Sequence, residues 1–121
     1  MKQLTNAEEA VMHILWKLKK GFVKEIIEEM PEPKPAYNTT STIVRILEKK
    51  KALGCRKQGK SHIYIPLLGQ EEYQLKGLDH LVGNIFSGEK TLVLKTLIDS
   101  KGITLEDLKE LKEIISKRLD E

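Results

Sequence analysis

The stretch from Tyr37 to Pro66 constrains the fold of this chain more than any other. At about 100° per residue, a helix that begins at Tyr37 or Asn38 separates its residues into two faces. The face suited to burial contains Thr40, Ile43, Val44 and Leu47. The opposite face contains small hydrogen-bonding side chains and two cations: Asn38, Ser41, Thr42, Arg45 and Lys49. Such a polar face gains little from packing within a protein, but it can hydrogen-bond to base edges in a duplex groove.

A basic hairpin is predicted directly after this helix. We expect the helix to run to about Ala52 and to be closed by Gly54. Two strands then follow, Cys55–Gln58 and His62–Ile65, with a flexible turn that contains Gly59. The helix and the hairpin therefore form one basic unit.

Two helices are predicted before this unit, and the second of them is short. Thr5 and Glu8 have the spacing of a capping box, so the first helix should start at Thr5 and end at about Lys20, where Gly21 closes it. The second helix is marked by Val23, Ile26, Ile27 and Met30, and three prolines stop it. Three helices followed by a basic hairpin predict a mainly α chain with a winged helix-turn-helix domain over residues 1–68.

The net charge of +3 is unevenly distributed along the chain. Residues 1–69 contain 13 Lys/Arg and 7 Asp/Glu, whereas residues 70–121 contain 8 and 11. From Arg45 to Lys60 there are seven basic residues and a single acid, Glu48. Phosphate contacts need such an excess of positive charge, so the front of the chain is predicted to face a polyanion.

Residues 69–121 are predicted to form a helical dimerisation domain after a hinge-like boundary at Pro66 and Gly69. Three short helices are indicated, and Thr104 with Asp107 should cap the last one. Each helix has one apolar face, and so short a segment buries such faces poorly by itself. A second copy of the chain would cover them. The predicted dimer contacts are Leu78, Val82, Leu97, Leu108, Leu111 and Ile115.

Several motifs resemble the penicillinase-repressor family, the BlaI/MecI/CopY group of bacterial repressors. The first helix resembles it through Leu4-Thr5-x-Ala7-Glu8-x-x-Val11-Met12-x-x-Leu15-Trp16. The central helix resembles it through Ala36-Tyr37-Asn38-Thr39-x-x-Thr42 and Leu47-Glu48-Lys49-Lys50, and the wing through Tyr64-x-Pro66. The resemblance implies a homodimeric repressor that binds a double-stranded DNA operator. A two-fold dimer presents two equivalent reading helices, so the operator should be a pseudo-palindrome.

The tail departs from two patterns found in that family. Some members are inactivated when a membrane sensor pathway causes cleavage at an Asn-Phe pair, but Thr96-Leu97 stands at the matching place here. A sensor or protease partner is therefore left open. The copper-responsive branch carries tail cysteines, whereas residues 70–121 contain none, so copper sensing is not expected.

Nine residues are the predicted DNA contacts. Arginine suits guanine O6 and N7, and asparagine suits adenine N6 and N7, which favours Arg45 and Asn38 as base readers. Cations of the wing suit phosphates. The complete set is Asn38, Thr39, Ser41, Thr42, Arg45, Lys49, Lys57, Lys60 and His62. The alternative to DNA contact is, for the helix residues, an ordinary solvated helix face. For the wing residues it is a hairpin whose charge serves only solubility.

Other classes of function are disfavoured. The sequence has no nucleophile elbow or phosphate loop, so we predict no enzyme. Three scattered histidines and the single Cys55 predict neither a metal site nor a cofactor, and Cys55 fits a small buried thiol. No apolar run reaches the ~18–20 residues that span a bilayer, and no secretory signal begins the chain. A cytoplasmic protein without direct membrane insertion is expected.

The serious alternative to a repressor is a winged-helix protein-interaction module without specific DNA binding. Such a module would keep the fold but would not need the net basic helix and hairpin. Salt-sensitive binding to random duplex DNA would distinguish the two functions.

Overall fold

The computed structural model describes residues 3–121, which divide into two compact units. The first unit extends to Gln74 and the second spans Leu75–Glu121. The first contains helices α1 (Asn6–Leu18), α2 (Val23–Glu28) and α3 (Tyr37–Lys49), strands β1 (Leu53–Gln58) and β2 (Ser61–Pro66), and the start of helix α4 (Gln70–His80). The second contains the rest of α4, a π-helical turn (Leu81–Ile85), and helices α5 (Lys90–Ile98) and α6 (Leu105–Leu119). The predicted domain boundary after residue 68 stays a prediction.

Helix α1 begins with the predicted capping box. The Thr5 hydroxyl oxygen accepts a hydrogen bond from the Glu8 amide at 3.2 Å, and the Glu8 carboxylate accepts one from the Thr5 amide at 2.7 Å. Amides that a helix start leaves without intrahelical partners are satisfied in this way. The predicted start of this helix is confirmed.

The predicted ends of α1 and α3 are wrong by two and three residues, because lysines rather than glycines turn the chain. Lys19 follows α1 with φ 74°, and Lys51 lies just past α3 with φ 65°. The left-handed conformation costs a residue with a side chain about 1–2 kcal/mol. Gly21 and Gly54, which the sequence assigns to these helix ends, take part in β-pairing instead.

The core of the first unit lies where its helices meet the base of the hairpin. Helix α3 buries the predicted face, since Thr40, Val44 and Leu47 are at most 1% exposed. Each fully buried large aliphatic side chain contributes roughly 1.5–3 kcal/mol. The largest side chains that are fully buried are Met12, Leu15, Ile26, Leu47 and Leu53.

Strands β1 and β2 form an antiparallel hairpin with the predicted tip. Gln58 lies opposite Ser61, so Gly59 and Lys60 alone make the loop. Gly59 has φ 66°, a conformation that a residue without a Cβ adopts at no steric cost.

A further pairing ties the hairpin to the connection between α1 and α2. The Gly21 amide donates to the Tyr64 carbonyl at 3.0 Å, and the Tyr64 amide donates to the Gly21 carbonyl at 2.8 Å. Three helices with this anchored hairpin make up the winged helix-turn-helix that the sequence predicts. None of the helices described over residues 3–121 combines the length and apolarity needed to cross a membrane.

An ion pair between a buried carboxylate and a half-buried lysine joins α1 to the residue that caps α3. Lys50 Nζ lies 2.8 Å from Glu8 Oε1, and Glu8 is 4% exposed. Burial would raise the pKa of the Glu8 carboxyl, but the hydrogen bonds from Lys50 and Thr5 and the Lys50 charge outweigh it. The pKa of Glu8 is therefore below its usual value.

The second unit leaves its apolar side chains open. None of its residues is buried in the single chain. Helix α6 starts as predicted, since Thr104 Oγ1 accepts from the Asp107 amide and Asp107 Oδ2 accepts from the Thr104 amide, both at 3.1 Å. The second unit as a whole exposes these large apolar residues: Leu75, Leu78, Ile85, Leu92, Leu94, Leu97, Ile98, Leu105, Leu108, Ile114, Ile115 and Leu119.

Replacing Glu8 by Gln tests the ion pair with Lys50. Gln can still form a capping box, but it removes the charge beside Lys50. Glu8→Gln should lower the free energy of unfolding by about 1.5–3 kcal/mol at pH 7. Urea denaturation followed by circular dichroism measures this difference.

The effect of Glu8→Gln should depend on pH. Because folding lowers the pKa of Glu8 below its ordinary value of 4.5, the charged carboxylate stabilises the fold above that pH. This stabilisation is lost as pH falls through the lower folded value, so the difference from wild type should shrink below pH 4.5. Glu29→Gln, which breaks the exposed 3.3 Å contact with Lys17, is the control and should cost less than about 1 kcal/mol. A pH-independent Glu8→Gln difference would contradict the ion-pair explanation.

Candidate nucleic-acid interface

Helix α3 presents its predicted polar face to solvent. Burial of Val44 and Leu47 against the core turns the opposite side of the helix outwards. Ser41 is half-buried on that side. The exposed candidates on the helix are Asn38, Thr39, Thr42, Arg45 and Lys49.

The Thr42 hydroxyl is already engaged within the helix. Its Oγ1 donates to the Asn38 carbonyl at 2.9 Å. The hydroxyl hydrogen is therefore used, and the oxygen lone pairs remain able to accept. Thr42 can thus receive a hydrogen bond from a base or bridge to one through water.

A cleft of about 400 Å³ separates α3 from the wing, the β1–β2 hairpin. Ser41 and Arg45 of α3 line one side, and Lys60 and His62 of the wing line the other. The structure therefore brings four of the nine predicted contacts around one concave surface. The other predicted contacts are exposed but do not line this cleft: Asn38, Thr39, Thr42, Lys49 and Lys57.

Seven further lining residues were not among the predicted contacts: Phe22, Val23, Lys24, Glu25, Tyr37, Ser61 and Tyr64. Tyr37 lies four residues before Ser41 on the same helix face, and it is 52% exposed. That spacing was a usable signal, because residues four apart on a helix are neighbours. Lys24 of α2 also lines the cleft, but only the pairing of Gly21 with Tyr64 brings α2 beside the wing.

The base of the wing holds a small polar cluster. Cys55 Sγ lies 3.4 Å from His62 Nδ1 across the two strands, and Cys55 is half-buried rather than fully enclosed. Burial and then the neighbouring Cys55 raise the pKa of the Tyr64 hydroxyl. Tyr64 therefore stays neutral beside the cations of the cleft.

The cations between Arg45 and Lys60 differ in whether a carboxylate lies beside them. Lys50 is neutralised by Glu8. In the described part of the chain, no carboxylate lies within ion-pair distance of Arg45, Lys57 or Lys60. These three charges remain available to an anionic partner.

Residues 3–121 contain no group of three or more His, Cys, Asp or Glu side chains arranged to hold a metal ion.

The sequence profile of the penicillinase repressor family matches residues 4–117. The chain belongs to this family. The methicillin resistance regulatory protein MecI of Staphylococcus aureus (strain N315) is 23% identical over 117 residues, which cover 96% of this chain and 95% of MecI. The penicillinase repressor of Bacillus licheniformis is 24% identical over 114 residues, which cover 93% of this chain and 89% of that one.

Three solved structures resemble this chain in fold. The DNA-binding domain of the repressor BlaI matches with a TM-score of 0.52 and 30% identity over 59% of this chain and 88% of that one. Monomeric Bacillus licheniformis BlaI in complex with the blaP half-operator matches with a TM-score of 0.50 and 30% identity, covering 60% and 89%. YusO from Bacillus subtilis matches with a TM-score of 0.53 at 19% identity over 97% and 75%, a likeness of fold alone.

Proposed function

We propose that this protein is a dimeric transcriptional repressor that binds a pseudo-palindromic DNA operator. The observation that carries the proposal is the cleft where Ser41 and Arg45 of α3 face Lys60 and His62 of the wing. Membership of the penicillinase repressor family supports it. So does the similarity to BlaI, a repressor that was solved in complex with a half-operator.

In the proposed docking, α3 enters the major groove and the wing follows the DNA backbone. The exposed guanidinium of Arg45 can donate two hydrogen bonds to guanine O6 and N7, and Asn38 can pair with adenine N6 and N7. Lys57 and Lys60 supply phosphate contacts that fix the register. The remaining proposed contacts are Thr39, Ser41, Thr42, Lys49 and His62.

The alternative, a protein-interaction module of the same fold, is less consistent with the charges. A protein partner would need acidic groups opposite Arg45, Lys57 and Lys60, because none of these three cations has a carboxylate within ion-pair distance in the described residues. A duplex presents about one phosphate charge per 1.7 Å of its axis and meets this need directly. Steep salt dependence on random duplex DNA would support the repressor.

The proposed dimer is held by the second unit. Its helices bury no residue within the single chain, so their apolar faces need a partner to be removed from water. The proposed contacts include Leu78, Leu97 and Ile115, which are 49%, 53% and 52% exposed, and Leu108, which is 37% exposed. Val82 and Leu111, both half-buried, complete the proposed set.

The proposed activity is binding rather than catalysis, and it needs no cofactor. A repressor acts where the operator is, so we place the protein in the bacterial cytoplasm. Loss of the second unit (the tail) would end repression, because the first unit of each chain (the head) would then bind DNA alone and too weakly. Thr96 and Leu97 lie inside α5, whereas Lys101 and Gly102 lie in the connection to α6, which is the more accessible place for a protease.

Arg45 and Lys60 should affect DNA binding in different ways. Arg45→Ala should cost about 1–3 kcal/mol at the operator and relax base preference at one position per half-site, because it removes a base contact. Lys60→Ala should weaken operator and random DNA alike and flatten the salt slope by about 0.9, because it removes a phosphate contact. Fluorescence anisotropy at several salt concentrations, on operator DNA selected by the wild-type protein, measures both.

Lys90→Ala is the control for these variants, since it removes one exposed positive charge outside the first unit. It should leave affinity within about twofold of wild type at moderate salt. If Arg45→Ala binds both duplexes as wild type does, the proposed docking of α3 is wrong.

Ile115→Asp should dissociate the dimer. A charge placed on the apolar face of α6 would have to be buried in the interface, which is strongly unfavourable. Sedimentation velocity should therefore show a monomer at concentrations where wild type is a dimer. Lys117→Gln changes the charge by the same one unit at a residue 78% exposed in its side chain and should stay dimeric. A dimeric Ile115→Asp protein would place the interface elsewhere.

Cutting the tail should release the operator. A site-specific protease sequence inserted between Lys101 and Gly102 should leave the uncut protein able to bind. After cleavage the affinity should fall at least about tenfold, because the second head no longer acts at high effective concentration. The same sequence appended after Glu121 is the control, and its cleavage should leave binding intact. A cut protein that keeps its affinity would refute this means of release.

A further inference from the structure

One side-chain cluster of the first unit has no part in the proposed DNA contacts. Tyr73, in the first turn of α4, packs against Trp16 of α1 with ring centroids 5.9 Å apart and planes inclined at 39°. The Tyr73 hydroxyl donates a hydrogen bond to Glu9 Oε2. All three residues lie in the first compact unit, and we call them the Tyr73 clamp.

The α1 side of the clamp is held firmly. Trp16 Nε1 donates to the Leu68 carbonyl at 2.8 Å, and the ring makes an edge contact with His13 at 5.2 Å. Leu68 is 5% exposed, and its amide donates to the Ala52 carbonyl at 3.1 Å. The Trp16 ring is therefore a fixed platform rather than a mobile surface side chain.

The polar contact of the clamp is also persistent. Burial and then the hydrogen bond to Glu9 raise the pKa of Tyr73 to about 12, so the hydroxyl remains a donor at neutral pH. Glu9 follows Glu8, whose carboxylate binds Lys50 just past the end of α3. Adjacent carboxylates of α1 thus hold the start of α4 and the end of the proposed reading helix.

We propose that Tyr73 is a positioning residue for operator selection, and that the clamp limits the half-site spacings the dimer accepts. The inference rests on the proposed operator-binding function. Helix α4 is continuous from Gln70 to His80, and the clamp holds its first turn to α1. A bivalent binder with restricted connections gains most when the spacing of its two targets matches its own.

The test compares duplexes with one and with two half-sites, selected by the full-length wild-type protein. Tyr73→Ala removes the ring and the hydrogen bond; it should weaken the two-half-site duplex about tenfold and the one-half-site duplex less than about twofold. Inserting two base pairs between half-sites should penalise wild type more than Tyr73→Ala, since a loosened connection tolerates the wrong spacing. Tyr73→Phe keeps the ring contact and should lose about threefold on two half-sites.

Variants of Glu9 separate the clamp from general destabilisation. Glu9→Gln keeps an acceptor for the Tyr73 hydroxyl and should discriminate spacing as wild type does, whereas Glu9→Ala should behave like Tyr73→Phe. Both remove the same charge from the first turn of α1, so the helix dipole cannot explain a difference between them. Gln74→Ala, an exposed neighbour on α4, should have no effect.

A measurement without DNA tests the clamp itself. Amide hydrogen exchange in the first turns of α4 should be about tenfold faster in Tyr73→Ala than in wild type, because the contacts that hold this end of the helix are lost. Unchanged exchange overturns the inference, as does an equal loss of affinity on one and two half-sites. If the wild-type protein selects no DNA at all, the proposed function is wrong, and so is the proposed selection of half-site spacing. Faster hydrogen exchange in Tyr73→Ala would in that case still show that the clamp holds the start of α4.

Discussion

Two backbone hydrogen bonds between Gly21 and Tyr64 are the constraint on which the candidate interface depends. A two-stranded hairpin alone is marginally stable in water. Here the pairing fastens β2 to the connection between α1 and α2, and Ile63 and Tyr64 are buried at 5% and 6% exposure. Lys60 and His62 are therefore held beside Arg45 across a cleft that already exists in the unbound protein. Little conformational entropy needs to be lost when an extended anionic partner binds such a surface.

Some basic residues of the first unit are bound within the protein, and others remain available to an anionic partner. Lys50 neutralises buried Glu8, and Lys34 caps α2 by donating to the Glu28 and Met30 carbonyls at 2.8 and 2.6 Å. Arg45 and Lys60 form no ion pair with a carboxylate of the described residues. The positive charge that could meet phosphates is therefore smaller than the sequence total, and Arg45 and Lys60 bring part of it to one cleft.

The two units differ in whether they bury a hydrophobic core within the single chain. The first has a core of fully buried side chains from all three of its helices and from the hairpin, whereas the second buries none in the single chain. A head that folds on its own core can present a fixed reading surface, and a tail with open apolar faces suits self-association. Tyr73 belongs to the head although it lies on α4, which makes the start of that helix part of the proposed reading apparatus.

The amino-acid sequence by itself determined the elements and the polar face of α3. Helical periodicity separates Val44 from Arg45, and capping boxes mark both Thr5 and Thr104, because these are local properties of a chain. Tertiary structure decided how the elements meet. The pairing of Gly21 with Tyr64 and the clamp on Tyr73 join residues far apart in sequence, so no local pattern reports them. The left-handed Lys19 and Lys51 also escape prediction, because packing of the whole unit offsets a local backbone cost that favours glycine.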